Sequence, residues 1–194
     1  VVGQDIVVKT LIHTIKNSKL THAYLFTGPR GTGKTSIAKI LAKTINCENS
    51  IEAIPCEDCV NCTQFNNKQN SDIIEIDAAS NNGVDEIREL KNKISIVPSN
   101  GKYKIYIIDE VHMLTVGAFN ALLKTLEEPP SHVIFILATT EPHKIPSTIL
   151  SRCQRFDFKK ISIDNIKNQL LNVCNQEKVE ITEEVLKRVQ KKID

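Results

Sequence analysis

Apolar residues along this chain follow two alternating rhythms. Nearly continuous runs rich in β-branched and aromatic residues occupy 22–27, 72–77, 103–108 and 133–138, with a weaker one at 154–158, and these predict strands. Near 4–17, 34–46, 84–95, 116–127 and 147–151 the apolar positions recur every three or four residues and predict helices. Ile105-Tyr106-Ile107-Ile108 and Val133-Ile134-Phe135-Ile136-Leu137 show no polar alternation, as expected of strands covered on both faces. Strand and helix taking turns in this way predicts an α/β domain with a parallel central sheet.

After Lys160 only helical signals remain. Asp164 is a candidate cap before Ile166, Leu170, Leu171 and Val173, and Thr182 with Glu183 and Glu184 opens a second helix through Val185, Leu186 and Val189. The pattern divides the chain into an α/β domain at 1–160 and the beginning of a small helical lid domain at 161–194. Starting on Val1 and ending on Lys191-Lys192-Ile193-Asp194 within a helical pattern, the sequence reads as a piece of a longer protein.

Where the first strand gives way to a helix stands Gly28-Pro29-Arg30-Gly31-Thr32-Gly33-Lys34-Thr35, which matches G-x-x-x-x-G-K-[ST], the phosphate-binding loop of nucleoside triphosphatases. Glycines let backbone N–H groups turn inward toward phosphate oxygens, and the helix starting near Lys34 offers its positive dipole end to the same anion. Lys34 is expected to reach the β- and γ-phosphates and Thr35 to ligate Mg²⁺, with Ser36 completing the nucleotide-binding set. A glycine-rich capping turn with a chance lysine is the competing reading, and the strand–loop–helix context weighs against it.

The third strand ends in Asp109-Glu110, at the edge of the sheet where ligands of open α/β folds gather. Asp109 suits a Mg²⁺ site reached through water, and Glu110 suits polarisation of the water that attacks the γ-phosphoryl group. Ala138-Thr139-Thr140 ends the fourth strand, where a hydroxyl can sense that phosphate or simply cap the turn before Pro142. Arg152, in Ser151-Arg152-Cys153, can stabilise transferring phosphoryl charge in a neighbouring subunit or serve as a surface ion-pair residue.

Composition narrows the class. The 194 residues are 41% hydrophobic with a net charge of +2, enough for a proper core and too weakly basic to point to nucleic acid. No run approaches the ~18 apolar residues of a membrane span and no charged leader is followed by an apolar core, so the chain reads as cytoplasmic, with no membrane partner. In a reducing compartment cysteines do not form disulfides, and Cys47, Cys56, Cys59 and Cys62 fall in a C-x8-C-x2-C-x2-C array suited to tetrahedral zinc. An iron–sulfur cluster is the alternative, but nothing else in the sequence suggests redox chemistry. Cys153 and Cys174 lie apart and read as core residues.

The phosphate loop, the cysteine insert, Ile108-Asp109-Glu110-Val111-His112-Met113-Leu114, Asn120-Ala121-Leu122-Leu123-Lys124-Thr125-Leu126-Glu127-Glu128-Pro129-Pro130, Leu137-Ala138-Thr139-Thr140-Glu141-Pro142 and Ser151-Arg152-Cys153 occur together in this order. In that combination the chain resembles the gamma/tau subunit family of bacterial DNA polymerase III, the AAA+ ATPases of the sliding-clamp loader. The resemblance implies an AAA+ P-loop fold with a zinc-binding insert at 47–62 and membership of a hetero-pentamer with other clamp-loader subunits. It further implies ATP at subunit interfaces, opening of the sliding clamp, and its release on primer–template DNA when ATP is hydrolysed, with the polymerase core tethered through a C-terminal region not contained here.

By the same resemblance Lys34 and Thr35 fill the Walker A positions and Asp109 and Glu110 the Walker B pair. Thr140, ahead of Thr139, is sensor 1, Arg152 is an arginine finger acting in trans, and Val1, Val2 and Gln4 begin the box that helps bind adenine. A basic segment before Val1 and a Gly-Ser-x-Arg-Asp-Ala sensor 2 segment beyond Asp194 belong to the family pattern and are absent, so weak binding and poor hydrolysis are expected of this piece alone. Two alternatives stand beside the motor reading: a catalytically silent scaffold subunit of the same machine, and a branch-migration AAA+ motor. Intact Lys34, Thr35, Asp109 and Glu110 disfavour the first; the second gives no reason for the four cysteines.

Overall fold

The computed structural model describes residues 2–177 and 179. Val1 and the second helix expected around 182–189 lie outside the described residues. Five parallel strands form a single sheet: β1 (Ala23–Thr27), β2 (Ile73–Asp77), β3 (Lys104–Asp109), β4 (Val133–Thr139) and β5 (Gln154–Asp157), in the spatial order β2-β3-β4-β1-β5. The central strands β1 and β4 are buried at every position, and β3 is buried up to the terminal Asp109. The edge strands β2 and β5 alternate, which accounts for the weaker apolar signal at 154–158.

Two apolar layers cover the sheet. On one face α1 (Asp5–Lys16) and α2 (Lys34–Asn46) set Val7, Leu11, Ile37, Leu41 and Ile45 against Tyr24, Phe26, Ile107 and Ile136. On the other, α4 (Val84–Ile94), α5 (Val116–Glu127) and α6 (Ser147–Leu150) set Ile87, Leu90, Leu122, Leu126 and Ile149 against Leu25, Tyr106, Ile108 and Phe135. Each such side chain removed from water contributes about 1.5–3 kcal/mol, so the strands are held rigidly and their carboxyl ends present a fixed edge. The connection from β1 to β2 passes through α2 on one face and the later ones through α4, α5 and α6 on the other, and β1 has neighbours on both sides, β4 and β5. The phosphate loop therefore leaves the sheet beside β4 and β5, at the crevice such topologies use for ligands.

Two elements differ from expectation. A seven-residue helix, α3 (Val60–Asn66), lies inside the cysteine insert, where no apolar periodicity predicts one. At the start of α7 (Ile163–Gln176) the cap is Ser162 rather than Asp164: extended Ser162 accepts a hydrogen bond from Asn165 N on its Oγ (3.3 Å). Asp164 falls within the first turn, where its charge meets the helix dipole without capping it. Among the described residues no helix is long and apolar enough to cross a membrane.

Candidate active site

The phosphate loop takes its shape from residues without side-chain obstruction. Gly28 has φ +145°, and a Cβ there would stand 2.3 Å from the carbonyl oxygen of Phe158, at the exit of β5. Gly31 and Gly33 have φ of +78° and +92°, the left-handed region that β-carbons disfavour. Gly33 caps α2, whose first residue is Lys34. The Lys34 ammonium is buried and donates to the carbonyls of Gly28 and Pro29, both at 2.8 Å, so the lysine closes the loop from within. Burial pushes the Lys34 pKa down, and the carboxylates of Glu110 and Asp109 partly offset it. Thr32 Oγ1 donates to Pro29 O at 2.8 Å and tightens the same turn. Arg30 is exposed, and Ser36 sits in the first turn of α2.

Thr35 and Asp109 meet although 74 positions separate them: Thr35 Oγ1 donates to Asp109 Oδ2 at 2.5 Å. A hydroxyl and a carboxylate converging at the dipole end of a helix form the hard oxygen set that suits Mg²⁺ beside phosphate. Glu110 follows with φ 46° and ψ 44°, a left-handed backbone unusual for a residue with a side chain and costing about 1–3 kcal/mol. That turn swings its carboxylate toward the end of β4, where Thr140 Oγ1 donates to Glu110 Oε2 at 3.0 Å. Thr139, fully buried, turns the other way, toward His112 Nδ1 (3.1 Å), and accepts from Glu141 N (3.0 Å). Of the two threonines it is therefore Thr140 that touches the second carboxylate.

Other expected residues lie further out. Arg152 bonds Glu127 Oε1 (2.8 Å) and Thr148 O (2.7 Å); among the described contacts it has none with the phosphate loop, Asp109 or Glu110. Gln4 is buried and its amide is consumed by backbone: Nε2 donates to Thr32 O (3.3 Å) and Lys159 O (2.7 Å), and Oε1 accepts from Lys159 N (3.2 Å). It braces the phosphate loop against the segment after β5. Val2 is half-buried just before it. His112, quoted in the motif above but given no role there, proves to be a buried neighbour of Glu110. The spacing in sequence carries no sign of that contact, which depends on how the β3 and β4 exits meet.

At the far end of α2 the four cysteines converge. Their Sγ atoms all lie within 4.8 Å of one another, against about 3.8 Å between sulfurs around a tetrahedral ion with Zn–S ~2.3 Å. Cys47 is the C-cap of α2, Cys59 the N-cap of α3, and Cys62 lies within α3. Backbone N–H groups of Cys56 and Cys59 point at the sulfurs of Cys47 (3.3 Å) and Cys56 (3.4 Å), a setting that favours thiolates. Four sulfurs without an open position fit a structural ion. Cys153 lies outside this cluster, and burial pushes its pKa up to about 12.

Residues 3–162 match the family model described as DNA polymerase III, delta subunit. The chain is 60% identical over 94% of its length to DNA polymerase III subunit tau of Bacillus subtilis, and 50% identical over 92% to that of Escherichia coli. It spans 32% and 28% of those relatives, about a third of their length. Among solved structures, a DNA polymerase III gamma subunit-related protein of Thermotoga maritima aligns with TM-score 0.58 and 26% identity, over 77% of this chain and 44% of that one. The RuvB Holliday junction branch migration motor of the same organism aligns with TM-score 0.63 over 93% of this chain and 53% of that one. At 20% identity the second likeness speaks for the AAA+ fold alone. Fold, phosphate loop, cysteine cluster and relatives agree: the chain belongs to the DNA polymerase III gamma/tau family.

Proposed function

We propose that this chain is the ATP-binding and hydrolysing motor of the polymerase III clamp loader, loading the sliding clamp onto primer–template DNA in the cytoplasm. The observation that carries the reading is the convergence of Thr35 with Asp109 and of Thr140 with Glu110 beside the phosphate loop. A scaffold subunit has no use for that arrangement. ATP would lie with its phosphates on the N-terminus of α2, met by Lys34 and by the backbone of Gly28 to Thr35 and Ser36. Val1 and Val2 would border the adenine, with Gln4 bracing the loop rather than touching the base. Mg²⁺, held by Thr35 and through water by Asp109, would neutralise the charge between the phosphates. Glu110 would orient the attacking water, and Thr140 would report the γ-phosphate to it.

Arg152 would act on the ATP of a neighbour within a hetero-pentamer. Its present contacts, all on the α5–α6 side, leave it free of this chain's own phosphate loop. The zinc module at 47–62 would keep its ion without taking part in hydrolysis, residues 161–194 would begin the lid domain, and the polymerase core would be reached through a C-terminal region. ATPase assays of the full-length protein with its partner subunits test the whole reading: stimulation by clamp and primer–template DNA supports it, and an unstimulated or absent activity in the complete assembly refutes it.

A further inference from the structure

His112 lies on the short 3-10 turn Val111–Met113 that leaves β3, with its side chain 6% exposed. Its Nδ1 stands 3.1 Å from Thr139 Oγ1 and 3.4 Å from Glu110 Oε2, while Nε2 stands 3.3 Å from Glu141 Oε1. The ring thus bridges the exits of β3 and β4, the two loops that carry Glu110 and Thr140. Half-buried His132, by comparison, bonds only a backbone carbonyl among the described residues, Ile94 O at 3.1 Å. His112 instead faces two carboxylates and a hydroxyl, all at the ligand edge of the sheet.

The contacts to Glu110 are one-sided. Thr140 Oγ1 (3.0 Å), Thr140 N (3.4 Å) and His112 Nδ1 (3.4 Å) all address Oε2, so among the described residues Oε1 is the oxygen left for a water. The hydrogen bond of Nδ1 is with Thr139 Oγ1 (3.1 Å), while Glu110 Oε2 beside Nδ1 and Glu141 Oε1 beside Nε2 are close polar neighbours of the ring. Glu141 is itself anchored, 2.8 Å from Lys144 Nζ and 3.6 Å from His143 Nε2, which gives the far side of the ring a fixed post.

We propose that His112 is a positioning residue for hydrolysis: its ring, fixed through Nδ1 on Thr139 Oγ1 and set against Glu110 Oε2, keeps that carboxylate turned so that Oε1 faces the attacking water, and Nε2, beside Glu141, ties that orientation to the strand end bearing Thr140. The role rests on the ATPase reading above. Misplacing a reacting group by about 1 Å costs on the order of 10²-fold in rate, which sets the effect to look for.

The test uses the full-length protein in its assembled state, stimulated by clamp and DNA. An Asn amide reaches the place of Nδ1 and a Gln amide the place of Nε2, so the two variants separate the ring's two contacts. His112→Ala and His112→Gln are expected to lower kcat by about 10- to 100-fold with ATP affinity and KM nearly unchanged, and His112→Asn to recover most of the loss. Equal losses in Ala, Gln and Asn, or losses that follow nucleotide affinity or melting temperature, mark a purely structural residue and overturn the proposal. Normal kcat in His112→Ala beside an inactive Glu110→Gln also overturns it while leaving the ATPase reading intact; normal turnover of Glu110→Gln defeats that reading itself. Should His112→Ala not assemble, Glu141→Gln decides together with the Asn and Gln variants. Its kcat loss is expected to be smaller and to add nothing to that of His112→Gln, and full additivity refutes the link.

Discussion

The two ends of α2 are built on opposite plans. At its N-terminus, Gly33 and Lys34 open onto a loop of inward backbone donors with few fixed side chains, the plan of a site that receives and releases a ligand. About 20 Å away along the same helix, Cys47 begins a closed set of four sulfurs with no position left for a substrate. Between them the coupling is mechanical. Buried Asn46 exchanges hydrogen bonds with the Tyr103 backbone (2.8 and 2.9 Å) just before β3, and Lys43 binds Asn66 Oδ1 (2.8 Å) and the carboxylate of Glu57. On the proposed reading one end does chemistry by staying open, and the other holds shape by closing around an ion. The comparison predicts that each end can be broken without losing the other.

The largest separation is expected from Arg152. An Arg152→Ala chain mixed with a Lys34→Ala chain pairs a sound phosphate loop with a sound arginine, and an arginine finger is worth ~10³–10⁵ in rate. Recovered hydrolysis in the co-assembled mixture supports action in trans, and none despite co-assembly removes Arg152 from the mechanism. Next in size, Lys34→Ala should weaken nucleotide binding by about 10²-fold or more, since two charge-assisted hydrogen bonds at ~1.5–3 kcal/mol are lost, while bound zinc stays the same. Loss of zinc in that variant would show the ends to be interdependent.

The reciprocal change is Cys59→Ser. Elemental analysis of wild-type protein purified without chelator should give a single zinc per chain, and the variant should lose it and melt earlier, with nucleotide affinity within about threefold, a ratio worth ~0.7 kcal/mol. A metal-free wild type refutes the zinc assignment outright.

The smallest effect concerns Asp72, buried beside the insert, whose carboxylate accepts from the N–H groups of Ser99, Asn100 and Gly101, each at 2.8 Å. Burial alone would push its pKa up, but these donors together with Lys104 outweigh it and hold the pKa below the ordinary value. A depressed folded-state pKa adds stability that is fully present above the unfolded value, ~3.9, and is lost as pH falls through the lower folded one. Asp72→Asn should therefore cost about 1–3 kcal/mol at neutral pH and flatten the acid limb of the stability curve. An unchanged acid limb in chemical denaturation would assign the loss to something else.

How much of this was legible in the sequence follows from the kind of physics each part uses. The phosphate loop and the cysteine array are local: glycines at fixed offsets and closely spaced thiols announce backbone geometry and coordination directly. The buried strands announce themselves through unbroken apolar runs. Helix α3 does not, because its seven residues carry no amphipathic stripe, starting just after Cys59 and containing Cys62 of the cluster. Ser162 and Asp164 are equally good capping residues on paper, and the direction in which the chain enters α7 decides between them. The left-handed Glu110, the Gln4 brace and the His112 bridge to Glu141 join residues by folding alone, up to 155 positions apart.

The open end of α2 is claimed as the seat of ATP hydrolysis, and Glu110→Gln in the full-length assembly with clamp and primer–template DNA tests that claim most directly. Nucleotide affinity should match wild type, because Lys34 and the loop backbone still meet the phosphates, while kcat should fall by about 10²–10⁴-fold, the usual worth of a positioned base. Normal turnover in that variant would contradict it.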